Sequence, residues 1–153
     1  MNLLVVNYFG VAQFTAISQL IIDFGLVVLI WMVQLIIYPS FLFYKGTNLV
    51  VWHQKYTQRI TVIVVPLMLL QLAISIFNVF FRFNFATLTT LIAVVFLWGF
   101  TLLSFAPIHF KISEGKYSQE LLKSLISTNW LRTFLWSALF VFNLFYNITV
   151  FLK

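Results

Sequence analysis

The sequence contains no cysteine and very few charged residues. Nine of its 153 residues are Lys or Arg and three are Asp or Glu, so only 8% are charged, whereas about 25% is usual in soluble domains. Without cysteine the chain cannot be a disulfide-stabilised scaffold. Nine basic and three acidic residues cannot cover the surface that a soluble fold of this length exposes to water, and a 63% apolar chain is not disordered. The composition therefore predicts an integral membrane protein.

Four long stretches without charge are each long enough to cross a bilayer, since about 20 apolar residues span the hydrocarbon core as a helix. They cover 24–44, 60–81, 83–110 and 133–152. The alternation typical of barrel strands is missing, which favours helices. We predict one all-α domain over residues 1–153, a transmembrane four-helix bundle with helices at about 18–43, 58–81, 86–107 and 130–151.

The segments between these helices also carry recognisable patterns. The first 17 residues are apolar with scattered polar positions, and we interpret them as an interfacial extension of helix 1, with a fifth span as the alternative. Residues 82–84 form a tight turn, so helices 2 and 3 are antiparallel neighbours. In 118–126 the apolar positions fall on one helical face, which predicts a short interfacial helix between helices 3 and 4.

Basic residues lie mostly on one side of the predicted bundle. The loops after helices 1 and 3, with the adjoining helix ends, hold Lys45, Lys55, Arg59, Lys111, Lys116, Lys123 and Arg132, whereas the opposite side holds Arg82 and Lys153. Because basic loops stay in the cytoplasm, we predict that both termini lie outside. The expected partner is the lipid bilayer, and no soluble basic domain is present that would bind nucleic acid.

Polar side chains gather at the cytoplasmic side of three helices, at the positions His53, Tyr56, Arg59, His109, Asn129, Arg132 and Trp136. Counted along the antiparallel hairpin, His53 and His109 differ in height by about 6 Å. We therefore predict that His53, Tyr56, His109, Asn129 and Arg132 line one cavity, with Arg59 and Trp136 at its edge. His53, Tyr56, His109 and Arg132 are the candidate catalytic residues, and Arg59, Asn129 and Trp136 the candidate substrate-binding residues.

Each of these residues also has a structural interpretation. Arginine and tryptophan at helix ends are common interfacial anchors, and an asparagine before a helix is usually an N-cap. Two histidines without cysteine or a nearby acid cannot complete a structural zinc site, so we expect no metal site. Haem ligation by both histidines remains an alternative, and the sequence identifies no cofactor.

Deeper polar residues are few. The amides Gln34, Gln71, Asn78, Asn143 and Asn147 are expected to form hydrogen bonds between helices. Asp23 is placed at the outer end of helix 1, where it could pair with Arg82 or take up protons.

Several segments resemble those of a group of small, uncharacterised four-span bacterial membrane proteins. They are the stretches 31–41 (WMVQLIIYPSF), 52–72 (WHQKYTQRITVIVVPLMLLQL), 106–109 (APIH) and 129–137 (NWLRTFLWS). The resemblance implies the bacterial cytoplasmic (inner) membrane. The four-span layout and the arginine near the start of the last helix are also similar to the anthrone-oxygenase-like membrane proteins, which implies oxygen-dependent chemistry on an aromatic or lipid-like substrate.

Three classes of function are compatible with the sequence. The first is a membrane-embedded enzyme or a protein that binds a lipid-like or quinone-like small molecule at the cytoplasmic mouth of the bundle. The second is an accessory subunit in a larger membrane complex or a homo-oligomer. The third is a transporter, which is disfavoured because the two halves show no convincing repeat.

Overall fold

The computed structural model describes the backbone of residues 3–151 and the side chains of residues 10–149. It contains four long helices, each apolar and long enough to cross a membrane. Helix α1 comprises Leu3–Met32, a π-helical turn Val33–Ile37 and a last turn Tyr38–Ser40; α2 is Thr47–Phe81; α3 comprises Phe85–Phe100, a π-helical turn Thr101–Phe105 and Ala106–Ser113; and α4 is Gln119–Phe151. The protein is an all-α, multi-pass membrane protein with a four-helix bundle, as predicted.

The four helices form a closed ring in which α1 packs against α2 and α4, and α3 packs against the same two helices. Short connections make sequential helices antiparallel. We call the end that carries residues 41–46 and 114–118 the loop end, and the end that carries residues 82–84 the terminal end. At the terminal end Asn84 and Thr87 form a capping box, each side chain bonding the other's backbone N–H at 3.1 Å. The tight turn that the sequence predicts there is confirmed.

Three of the four helices are longer at the loop end than predicted, whereas α1 ends at Ser40, before the predicted residue 43. Helix α2 begins at Thr47 and α4 at Gln119, so the short interfacial helix predicted over 118–126 is the first part of α4 and not a separate element. The reason is packing, because Leu122 and Leu125 are buried in an apolar cluster with side chains of the other helices. This part of α4 covers the loop end of the bundle.

Two charged residues lie deeper than predicted. Because α1 begins at Leu3 and runs unbroken to Met32, Asp23 lies in the middle of the span and not at its outer end. It is fully buried. Arg132, counted with the loops in the prediction, lies 13 residues into α4 and is also buried. Lys153, the last basic residue of the terminal end, lies outside the described residues.

The π-helical turns of α1 and α3 are each followed by a proline. Pro39 comes two residues after the turn Val33–Ile37, and Pro107 two residues after the turn Thr101–Phe105. A proline ring clashes with the carbonyl group four residues earlier, and those carbonyls belong to Leu35 and Leu103, inside the widened turns. The wider turns accommodate both prolines: α3 continues from Pro107 to Ser113, whereas α1 ends at Ser40, one residue after Pro39. Such π-helical turns often occur at functional sites.

The apolar core has two parts. One cluster occupies the middle of the bundle and contains Ile22, Leu26, Ile30, Met68, Val94, Leu97, Trp136 and Leu139. The other occupies the loop end and contains Val33, Tyr38, Phe41, Leu49, Phe105, Ile112, Leu122 and Leu125. Residues of both clusters border the cavity described next.

Candidate functional site

The two histidines of the chain are in direct contact at the loop end. His53 Nε2 on α2 and His109 Nδ1 on α3 are 2.8 Å apart, and the two rings stack with centroids 5.0 Å apart. His53 Nδ1 lies 3.0 Å from the Ser113 hydroxyl, and His109 Nε2 lies 2.9 Å from the Tyr38 hydroxyl. We call this chain of four side chains, Ser113, His53, His109 and Tyr38, the histidine relay.

The histidine relay can be oriented in two ways with all its hydrogen bonds kept. In one orientation the Tyr38 hydroxyl donates to His109, His109 donates to His53, and His53 donates to the Ser113 hydroxyl. In the other every donor becomes an acceptor, and in both the imidazoles are neutral. Because the ring nitrogens of the pair are occupied by these partners, the arrangement suits proton transfer better than metal or haem ligation. No group of three or more metal-ligating side chains occurs in the described part of the chain.

A cavity of about 440 Å³ lies beside the histidine relay and is bordered by all four helices. Ligand pockets usually measure about 300–1,000 Å³ and have mostly apolar walls. The walls here are mostly apolar, and at the loop end they include Tyr38, Tyr56, His109 and Arg132. The rim residues Val65, Leu102 and Phe110 are exposed on the outer surface. The cavity therefore opens sideways between α2 and α3, towards the hydrocarbon.

Arg132 is the buried cation of this cavity. Its side chain is 7% exposed, and its guanidinium carbon lies 4.2 Å from the ring centroid of Phe105 and 5.2 Å from that of Trp136. The guanidinium interacts electrostatically with the Tyr38 hydroxyl. Its Nε is buried without a hydrogen-bond partner in the protein.

Two further polar atoms of the cavity wall are in the same situation, namely Thr101 Oγ1 and Trp98 Nε1. A buried polar group left without a partner costs about 1–3 kcal/mol. These three atoms are closed to a water-sized probe, so a ligand can accept hydrogen bonds from them only when their side chains turn towards the cavity. The polar lining residues at the loop end suit an oxygen-bearing head group better than a purely apolar ligand.

Asn129 does not line the cavity, contrary to the prediction. Its Nδ2 donates to Gln34 Oε1 at 2.8 Å, and Gln34 Nε2 donates to the Ile126 carbonyl at 3.3 Å. These bonds connect α1 to α4. Asn129 is also not an N-cap, because α4 begins ten residues earlier at Gln119.

Arg59 is likewise outside the cavity. It is exposed and lines a separate groove of about 200 Å³ with Lys55 and Trp52. The groove adjoins the cavity, since both are bordered by Leu29, Val33, Tyr56 and Ile60. Arg59 lines the groove and does not line the cavity itself.

The structure brings together four of the seven predicted site residues at the cavity wall: Tyr56, His109, Arg132 and Trp136. His53 is fully buried and lies behind His109. Four residues of the relay or the cavity wall were not predicted from the sequence: Tyr38, Ser113, Thr101 and Trp98. Ser113 follows His109 by one helical turn, a spacing that the sequence could have indicated, whereas Tyr38 is brought into place by the π-helical turn before it.

Comparisons of the chain with family models, with curated proteins and with solved structures gave no significant match.

Proposed function

We propose that the protein binds a lipid-like or quinone-like molecule with an anionic or oxygenated head group and an apolar body. The head group lies against Arg132, and the body extends between the apolar walls towards the opening between α2 and α3. The observation that carries this proposal is the Arg132 guanidinium, which borders a cavity of about 440 Å³ and has no ion pair with any described acidic side chain. A planar guanidinium donates parallel hydrogen bonds to a carboxylate or a phosphate.

The histidine relay extends the proposal to acid–base chemistry. His109 lines the cavity, and its Nε2 faces the Tyr38 hydroxyl. A ligand that takes the proton of the Tyr38 hydroxyl shifts the relay from the second orientation to the first. Ser113, half-buried at the far end, then gives its proton to His53 and is reprotonated by water. General acid–base catalysis requires such a donor or acceptor within hydrogen-bond reach of the ligand. We therefore favour an enzyme that moves a proton at the head group, with Tyr38 as the group that exchanges it and the two histidines as its carriers.

We also propose that the protein lies in a bacterial cytoplasmic membrane with its loop end inside. Lys45, Lys55, Arg59, Lys111, Lys116 and Lys123 support this placement, because they lie in the loop-end connections or in the adjoining parts of the helices. Arg132 no longer contributes to the asymmetry, since it is buried in the bundle. The cavity and the histidine relay then lie near the cytoplasmic leaflet.

The binding proposal is tested with a permanently anionic amphiphile, a bromine-labelled decanesulfonate, in nanodiscs of zwitterionic lipid. Bromine quenches tryptophan fluorescence, and Trp98 and Trp136 line the cavity. We expect saturable quenching. Arg132→Gln should weaken it about 10- to 150-fold, because a hydrogen bond to a charged group contributes about 1.5–3 kcal/mol.

Arg59→Gln is the matched control, since it removes the same charge outside the cavity. We expect it to leave the affinity for the sulfonate unchanged. Equal effects of the two variants, or quenching that never saturates, would contradict the proposal.

A further inference from the structure

Asp23 is bound at mid-span by amide side chains from three helices. Its Oδ1 accepts hydrogen bonds from Gln19 Nε2 at 2.9 Å and from Gln71 Nε2 at 2.7 Å, and its Oδ2 accepts one from Asn143 Nδ2 at 2.7 Å. These donors come from α1, α2 and α4. The residue Asp23 is only 1% exposed. An ionisable side chain within a membrane span is costly and commonly marks a proton or ion pathway.

The amides are arranged for the ionised carboxylate. All three amide groups present their N–H to the carboxylate, and the amide oxygens of Gln71 and Asn143 accept from Trp136 and Thr90. An ionised carboxylate accepts all three bonds, whereas a protonated one has to turn its own O–H towards an acceptor. The network stabilises a carboxylate without supplying a positive charge.

The opposite buried charge is Arg132, which a short chain of contacts connects to Asp23 and which lies about 16 Å away along the bundle, judged from the helical rise between Arg132 and Asn143. Asp23 accepts from Gln71, Trp136 Nε1 donates to Gln71 Oε1 at 3.5 Å, and the Trp136 ring lies 5.2 Å from the Arg132 guanidinium carbon. Among the described side chains, Asp23 and Arg132 are the buried acid and the buried arginine. Both charges are thus in the low-dielectric interior, where they interact more strongly than in water.

A polar void lies between Asp23 and the terminal end. It measures about 10 Å³, which is roughly the room of one water molecule. All its lining residues are polar: Gln19, Ser75, Asn78, Arg82, Thr87, Thr90, Asn143, Tyr146 and Asn147. Asn147 Oδ1 and Arg82 Nε are buried there without a protein partner. Gln19 and Asn143 both donate to Asp23, so a water in this void would lie one side chain away from the carboxyl group.

We propose that Asp23 is a proton-binding site whose occupancy is coupled to the binding of an anion at Arg132. The inference rests on the proposed function. In the empty protein the ionised Asp23 balances Arg132. An anionic head group neutralises Arg132, leaves the carboxylate without a counter-charge and so favours the uptake of one proton by Asp23. By linkage, protonation of Asp23 strengthens anion binding by the same factor.

The sign of the pH dependence follows from this coupling. Because binding takes up a proton, the affinity for a permanent anion falls as the pH rises, by at most tenfold for each pH unit. The groups that face Asp23 from each helix, Gln19, Gln71, Asn143 and, through Asn143, Thr90, do not titrate. His109 and Tyr56 line the cavity, and His109 is the competing source of a proton uptake.

The test uses the Glu114→Gln/Glu120→Gln variant, in which Asp23 is the remaining acidic side chain of the chain. Both glutamates are exposed, so we expect the variant to fold and to bind the sulfonate as the wild type does. In infrared difference spectra, addition of decanesulfonate should produce the carbonyl band of a protonated carboxyl group. In weakly buffered solution, binding should take up a fraction of one proton.

Asp23→Asn, tested alone, should bind the sulfonate with a pH-independent affinity equal to that of the wild type at low pH. Saturable binding without the carbonyl band would refute the coupling and leave the proposed function standing. A proton uptake that persists in Asp23→Asn and disappears in His109→Asn would also overturn it. Binding that requires sodium would replace the proton with a metal cation.

The proton site itself can be tested without any ligand. If the sulfonate does not bind, the proposed function fails, but acidification of the Glu114→Gln/Glu120→Gln variant should still produce the carbonyl band of Asp23. Absence of that band over the whole pH range in which the protein stays folded would refute the proton-binding site.

Discussion

Two threonines of α3 provide a direct test of the unpartnered polar atoms in the cavity. Thr90 Oγ1 is buried and donates to Asn143 Oδ1 at 2.6 Å, whereas Thr101 Oγ1 is buried without a partner. Valine has nearly the same shape as threonine and is also β-branched. Thr→Val at either position therefore removes a hydroxyl group with little change in packing, and the difference between the two variants reports on the hydrogen bond.

We expect the two substitutions to have opposite effects on the free energy of unfolding. Thr90→Val removes a hydrogen bond and leaves Asn143 Oδ1 without its donor, so we expect it to lower the free energy of unfolding by about 1–2 kcal/mol. Such bonds contribute about 0.6–2 kcal/mol in membranes, and an acceptor left without a donor adds to the loss. Thr101→Val removes a hydroxyl that has no partner and should leave the stability unchanged or raise it by up to about 1 kcal/mol.

The measurement is reversible unfolding in mixed micelles with an increasing fraction of denaturing detergent, followed by tryptophan fluorescence. The bromine-labelled sulfonate provides a second comparison, because Thr101 lines the cavity and Thr90 does not. Its affinity should fall in Thr101→Val and stay unchanged in Thr90→Val. If both variants lose the same stability, the Thr101 hydroxyl is bonded in the folded protein and the cavity lacks one of its unpartnered donors.

Two further predictions concern the bundle as a whole. Gln34→Leu should destabilise the protein by about 1–3 kcal/mol because the Asn129 amide loses its acceptor. In a double-mutant cycle, Gln34→Leu/Asn129→Leu should lose less stability than the two single variants together. Additive losses would show that the two amides act independently. Reporter fusions in residues 41–46 and 114–118 should be cytoplasmic, as the basic residues of the loop end require, and a periplasmic signal from either loop would reverse the proposed orientation.

The transmembrane spans could be predicted from the sequence, but the helix ends could not. Hydropathy marks where a helix leaves the hydrocarbon, whereas the helix itself continues as long as its backbone hydrogen bonds and packing persist. Residues 47–57 are polar enough to be taken as a loop, and residues 118–126 were predicted as a separate short helix. Both stretches belong to the first turns of α2 and α4. The same error placed Asp23 at a helix end, because the apolar first residues were not counted as part of the span.

The contact of His53 with His109 agrees with the similar height obtained by counting along the antiparallel hairpin, since height depends on the number of residues. The direction in which a side chain points is harder to predict. Each π-helical turn contains one extra residue and rotates everything beyond it, so the faces of α1 and α3 after Val33 and Thr101 could not be derived from a regular 3.6-residue period. Tyr38 was missed for this reason. Asn129 and Arg132 lie on the same face of α4, but Asn129 donates a hydrogen bond to Gln34, whereas Arg132 borders the cavity.

The sideways opening between α2 and α3 determines what the affinity of this site can depend on. A ligand that enters from the hydrocarbon has already been removed from water, so each methylene of its tail brings about 0.8 kcal/mol to membrane partitioning and almost nothing further on moving into an apolar cavity. Lengthening the tail therefore raises the amount of ligand in the bilayer and hardly changes the fraction of membrane-dissolved ligand that is bound. Discrimination between ligands falls to the few polar groups around Arg132, and a modest intrinsic affinity is enough to keep the cavity filled.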